Sequence, residues 1–78
     1  MPTLGEFIAH ARKYGFKRRV LVLDRGPRGS SRIVYLWRDA EHFAELPDVR
    51  YRDRLTRDTV ATLCRRLGIL GEDFGLTT

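Results

Sequence analysis

The feature that most constrains this chain is a helix signal at each end, with a short, strongly punctuated span between them. At the front, Thr3-Leu4-Gly5-Glu6 has the form of a capping box. The Thr3 hydroxyl can accept the amide three residues on, and Glu6 can reach back to the Thr3 amide. Leu4, Phe7, Ile8 and Ala11 follow at helical spacing, and Gly15 supplies a stop. The spacing predicts a helix over Thr3–Tyr14. At the back, Thr56 is a good N-cap, and Leu55 before it can pack on Val60 as a hydrophobic staple. Asp58 suits the positive end of the helix dipole, and Arg65 and Arg66 suit the negative end. Val60, Leu63, Cys64 and Leu67 form the apolar stripe, and Gly68 ends it.

Between these helices the period changes from 3.6 to 2. Arg18–Asp24, built on Val20-Leu21-Val22-Leu23, reads as a strand. Arg25-Gly26-Pro27-Arg28-Gly29-Ser30 has no periodicity and reads as a loop. Arg32–Arg38 reads as a second strand, with Ile33, Tyr35 and Trp37 on one face and Val34 and Leu36 on the other. Ala40–Leu46 fits either a turn of helix or a short third strand, and the strand is preferred near Phe43–Leu46, where Pro47 would end it. Ile69, Leu70 and Phe74 are expected to fold the tail back onto the core. The fold class is α+β, in the order helix, strand, strand, strand, helix. Its simplest packing is an antiparallel three-stranded sheet with both helices on one face.

The chain has 78 residues, enough for a single domain spanning 1–78. A compact chain of that length has a radius of gyration of about 11–12 Å. That leaves no room for a deep two-walled cleft, a full Rossmann domain or a barrel. Cys64 is the only cysteine and cannot form an internal disulfide. No Cys/His cluster has zinc spacing, and Glu41, Glu45, Asp48 and Asp53 match no ligand pattern, so no metal or cofactor is expected. The N-terminus lacks the pattern of a signal peptide, and no apolar run is long enough for a membrane span. A cytoplasmic protein without a membrane partner is the expectation.

The charge is uneven. The net charge is +5, yet residues 1–38 hold nine bases and two acids, and residues 39–78 hold six bases and eight acids. Such asymmetry points to a side that faces a polyanion. Lys17, Arg18, Arg19, Arg25, Arg28 and Arg32 gather around the first hairpin, with Gly29 and Ser30 in its turn. Forked guanidinium groups and glycine-rich backbone amides would make a phosphate cradle there. Tyr35 and Trp37 alternate on one strand face, and aromatics under two helices are expected in the core. His10 lies off the apolar stripe of its helix and is expected on the flank. Cys64 lies within the stripe of its own helix and reads as a small buried hydrophobe.

Several strings together resemble the HicA-type toxins of bacterial toxin–antitoxin systems, over nearly the whole chain from Phe7 to Phe74. Lys13-Tyr14-Gly15-Phe16 is similar to the end of the family's first helix. The Gly29-Ser30 turn resembles its Gly-Ser-His turn, and Leu46-Pro47 resembles the end of its third strand. Thr59–Leu67, then Gly68-Ile69 and Glu72-Asp73-Phe74, resembles its closing helix and acidic tail. The resemblance implies a fold like the double-stranded RNA-binding domain, messenger RNA cleavage as the activity and an antitoxin protein as partner. An ordinary double-stranded RNA-binding domain would carry a lysine cluster at the start of the last helix, where this chain has Thr56-Arg57-Asp58-Thr59.

One departure matters for chemistry. The family's catalytic histidine follows the Gly-Ser of the turn, and here Ser31 stands in its place. Cleavage through the RNA 2′-hydroxyl needs a base that titrates near neutral pH, which imidazole supplies and a lone serine does not. The expectation is an RNA-binding protein with weakened or lost ribonuclease activity. Two alternatives stand beside it. One is an active endoribonuclease with His42 as a relocated base, if His42 comes near the Gly29–Arg32 turn. The other is an interaction module whose arginines grip an acidic protein.

Overall fold

The computed structural model describes residues 1–76. Helix α1 spans Leu4–Arg12 and is followed by β1 (Lys17–Asp24), a 3₁₀ turn (Gly26–Arg28), β2 (Ser30–Asp39), β3 (His42–Glu45), α2 (Arg57–Leu67) and a second 3₁₀ turn (Gly71–Phe74). The strands form one antiparallel sheet in the order β1-β2-β3. The α+β class and the element order read from the sequence are those of the structure.

The local signals act as their chemistry dictates. Thr3 Oγ1 accepts the Glu6 amide at 3.1 Å, and the Thr3 amide donates to Glu6 Oε1 at 3.0 Å. Those bonds, led by the one from the Thr3 backbone, hold the Glu6 carboxyl below its ordinary range. Two further amides of the first turn are satisfied by the connection to α2. Leu4 N donates to Asp53 O at 3.0 Å, and Gly5 N donates to Tyr51 O at 2.9 Å. A Cβ on Gly5 would stand 3.2 Å from that carbonyl oxygen, a tight contact that a larger residue could make only if the Tyr51 backbone gave way slightly. Leu46 still donates to Val34 O of β2 at 2.8 Å, whereas residues 51–55 are held by the front of α1 and the residues just before it, Leu55 N donating to Pro2 O at 2.9 Å. Thr56 Oγ1 accepts the Thr59 amide at 3.2 Å, and Gly68 closes α2 with φ 71°. Helix α1 ends two residues earlier than its spacing suggests, and residues 13–15 form a turn that closes at Gly15.

The core lies between both helices and the β2–β3 end of the sheet. Phe7, Ala11, Phe16, Leu36, Val60 and Leu67 are almost wholly inaccessible, and Leu4, Ile8, Ala44, Leu46, Leu55, Leu63, Cys64, Ile69 and Leu76 complete the core. Cys64 is buried as expected, and burial raises its thiol pKa. Phe74 stacks on Phe7 with ring centroids 5.1 Å apart, so the tail does return. Leu70 does not join it and is 61% exposed.

No residue of β1 belongs to the buried core. The β1–β2 hairpin is longer than the helices beneath it and projects beyond them. That overhang gives extents of 47 × 27 × 19 Å and a radius of gyration of 13.4 Å, larger than a compact chain would have. No helix among the described residues is long and apolar enough to cross a membrane.

Candidate nucleic-acid interface

The register decides which side chains share a surface. Lys17 faces Trp37 across the β1–β2 ladder, Arg19 faces Tyr35, Leu21 faces Ile33 and Leu23 faces Ser31. On the other side of β2, Trp37 faces Phe43 and Tyr35 faces Glu45. Directly opposed residues point to the same side of a sheet, so these ten form one face. Leu36 is fully buried, and Val34 packs against the core. The helices therefore cover the even-numbered side of β2, and the odd-numbered side is open.

This overturns the expectation that Tyr35 and Trp37 lie in the core. Both are half-buried by their neighbours on the open face, and Phe43 beside them is 53% exposed. The guanidinium of Arg19 lies 3.9 Å from the centroid of the Trp37 ring. That contact holds a cation over the aromatic face and contributes about 0.5–1 kcal/mol at an exposed site. The result is an aromatic strip of Tyr35, Trp37 and Phe43 with Arg19 and Lys17 along its β1 border.

The remaining basic candidates are not on that face. Arg18 and Arg32 belong to the helix side, opposite Leu36 and Val22 respectively. The Arg18 guanidinium lies 5.8 Å from the Tyr51 ring. Arg18 and Arg32 line an open groove beneath the overhanging hairpin, shared with Asp48, Asp58 and Arg66. Arg25 and Arg28 are exposed at the hairpin tip. There Asp24 Oδ1 accepts the Gly26 amide at 2.9 Å, and Gly29 adopts φ 95°. Ser30 pairs with Asp24 on the helix side, while Ser31 is on the open face. The expected single cradle is thus divided by the sheet into an open-face pair, a tip pair and a groove pair.

The two histidines lie away from Ser31. His42 is paired with Asp39 in the ladder, eight residues along β2 from Ser31. At roughly 3.3 Å per residue that separates them by about 26 Å. His42 does not come near the Gly29–Arg32 turn, because it pairs with the last residue of β2 and the turn lies at the strand's first residues. Its ring lies on the helix side, where a Cβ on Gly68 would meet His42 Cδ2 at 3.4 Å. Its Nδ1 is 2.8 Å from Asp39 Oδ1, which also accepts the Glu41 and His42 amides at 2.9 Å. The His42 side-chain bond is the main cause that holds the Asp39 carboxyl at a pKa of about 2. His42 and Asp39 thus close the β2–β3 turn.

His10 is not a free flank residue. Its Nε2 lies 2.8 Å from Asp73 Oδ2, the same oxygen that accepts the Tyr14 hydroxyl. Its ring also meets Phe74 edge-on at 4.9 Å. The bonds from Tyr14 and then His10 lower the Asp73 pKa, and the shared carboxylate raises that of Tyr14. This cluster fastens the tail to α1. Among the described residues, no group of three or more His, Cys, Asp or Glu side chains gathers as a metal site.

Phe43 and Asp73 are two of the participants that sequence reasoning missed. Phe43 could have been found from its strand parity relative to Trp37. Asp73 could not, because its partner His10 is 63 residues away. No family model, curated protein or solved structure matches this chain.

Proposed function

We propose that this chain is a small RNA-binding protein related to the HicA-type toxins, with its ribonuclease activity weakened or lost. It holds single-stranded RNA, such as messenger RNA, on the open face of the sheet. One observation carries the reading. Tyr35, Trp37 and Phe43 lie on adjoining strands of the uncovered face, with Arg19 and Lys17 along the border. Unpaired bases stack on aromatic rings whatever their identity, and cations beside the rings neutralise the phosphates. Arg25 and Arg28 extend the positive border to the hairpin tip. An antitoxin partner would cover the same apolar and basic strip.

Binding is favoured over cleavage by the chemistry of Ser31. Its hydroxyl has no base beside it, because His42 is engaged with Asp39 at the far end of β2 and His10 with Asp73 on α1. The test is one preparation of the protein with end-labelled single-stranded RNA, read both by anisotropy and on a denaturing gel. The expected result is salt-sensitive binding with intact RNA, and weaker binding to a duplex of the same length. Absence of binding would contradict the reading. Cleavage that disappears in His42→Ala would replace it with the relocated-base ribonuclease.

A further inference from the structure

We propose that β1 is an association edge for a second copy of this chain. Two β1 strands would pair antiparallel about Leu21 and join their sheets into one of six strands. The sheet edge alone would carry this association, independently of RNA binding.

Both outer strands of the sheet have one free side, since the order is β1-β2-β3. Strand β3 has only four residues, but β1 has eight. An edge strand presents unpaired amides and carbonyls, and proteins guard such edges with charge, proline, bulges or short length. The first half of β1 is guarded by Lys17, Arg18 and Arg19. Asp24 closes the other end, and the stretch between, Val20-Leu21-Val22-Leu23, carries no charge, proline or glycine. Leu21 is 46% exposed and Val22 58%. The long edge therefore has an apolar, unguarded centre.

Side-chain parity narrows what can pair there. In one continuous two-fold sheet, directly opposed residues must point to the same face. The symmetry axis then passes through a residue, so Val20, Leu21 and Val22 are the central choices. An axis at Val22 sets Arg19 against the partner's Arg25. An axis at Val20 sets Arg18 against the partner's Val22 and Lys17 against the partner's Leu23. An axis at Leu21 sets Val20 against the partner's Val22, and Arg18 against the partner's Asp24, and symmetry repeats both contacts. Of the three, only this register places opposite charges across the seam.

The surroundings of Arg18 fit that pair. A recess beside β1 on the helix side is lined by Arg12, Arg18 and Tyr51. Asp24 belongs to the same side of the sheet as Arg18, so the partner's Asp24 would meet a site with two guanidinium groups. Asp24 uses Oδ1 for the Gly26 amide, which leaves Oδ2 for the contact. Lys17 and the partner's Arg25 are the one opposed like-charge pair, and Arg25 lies beyond the end of its strand. An isologous contact of this kind closes on itself as a dimer.

Sedimentation velocity of the full chain at about 0.15 M salt, over a concentration series and without RNA, is the test. The expected mass rises to twice 9.1 kDa. Leu21→Lys sets two ammonium groups opposite each other at the axis and should weaken dimerisation more than tenfold. Leu21 is exposed, so far-UV circular dichroism should stay unchanged. Asp24→Arg should also weaken the dimer, and Arg18→Asp with Asp24→Arg should restore it. With oxidised glutathione as oxidant, Leu21→Cys should form an interchain disulfide, while Leu23→Cys, which faces the partner's Arg19, should not. A monomer at every concentration would overturn the proposal, as would a dimer indifferent to Leu21→Lys. Cross-linking through Leu23→Cys instead would overturn the register on which it stands.

Discussion

A salt titration of RNA affinity distinguishes the open face from the groove, because the sheet divides the basic residues between them. Lys17 and Arg19 border the aromatic strip, Arg25 and Arg28 sit at the tip, and Arg18 and Arg32 face the helix side. For single-stranded nucleic acid, the affinity exponent in salt is about 0.7 per neutralised phosphate. If the first four each neutralise one phosphate, the log–log slope is about −2.8. Raising salt from 50 to 200 mM then weakens binding about 50-fold. Lys17→Ala with Arg19→Ala should halve the slope to about −1.4, so the same change in salt costs about 7-fold. Arg18→Ala with Arg32→Ala should leave the slope near its original value. Fluorescence anisotropy with a labelled oligonucleotide measures all three proteins. Loss of slope in the Arg18/Arg32 variant, with none in the Lys17/Arg19 variant, would place the RNA in the groove and refute the open-face reasoning.

Two further perturbations follow from the packing and the turns. Phe7 is fully buried and stacks on Phe74. Phe7→Ala should therefore cost about 3–5 kcal/mol in urea unfolding, with the tail released from α1. Asp39 has a folded pKa of about 2 against 3.8 for the free group. A carboxylate depressed on folding stabilises the native state above its unfolded pKa, and that contribution is lost as pH falls through the folded value. Stability should thus drop between about pH 4 and pH 2, and Asp39→Asn should flatten that part of the unfolding profile. Asp73 is shifted in the same direction by Tyr14 and His10, so the flattening is partial unless Asp73→Asn is combined with it.

The elements were legible because their signals are local. Thr3 with Glu6, Thr56 with Thr59, and Gly68 at the end of α2 each act within a turn. Alternation in Arg32–Arg38 separated Ile33, Tyr35 and Trp37 from Val34 and Leu36, but it does not say which set the helices cover. The larger aromatics favour the wrong answer on burial alone. The choice is made by what packs on the other side, where Leu36 meets a core completed by Phe16, Ala44 and α2. The division of the arginines follows from the same choice. The placement of His42 depended on the length of β2, and the fastening of His10 on a tertiary contact with the far end of the chain. The hairpin overhang was illegible for a related reason: strand pattern reports where a strand runs, not how far its support extends.

Trp37 is the only tryptophan in the chain, and it stands in the middle of the open face beneath Arg19. Its fluorescence therefore reports directly on whether bases reach that surface. Titration with single-stranded RNA at low salt should quench and shift its emission in step with binding, and raising the salt should reverse the change. Binding by anisotropy with Trp37 emission unaltered would contradict the open-face site.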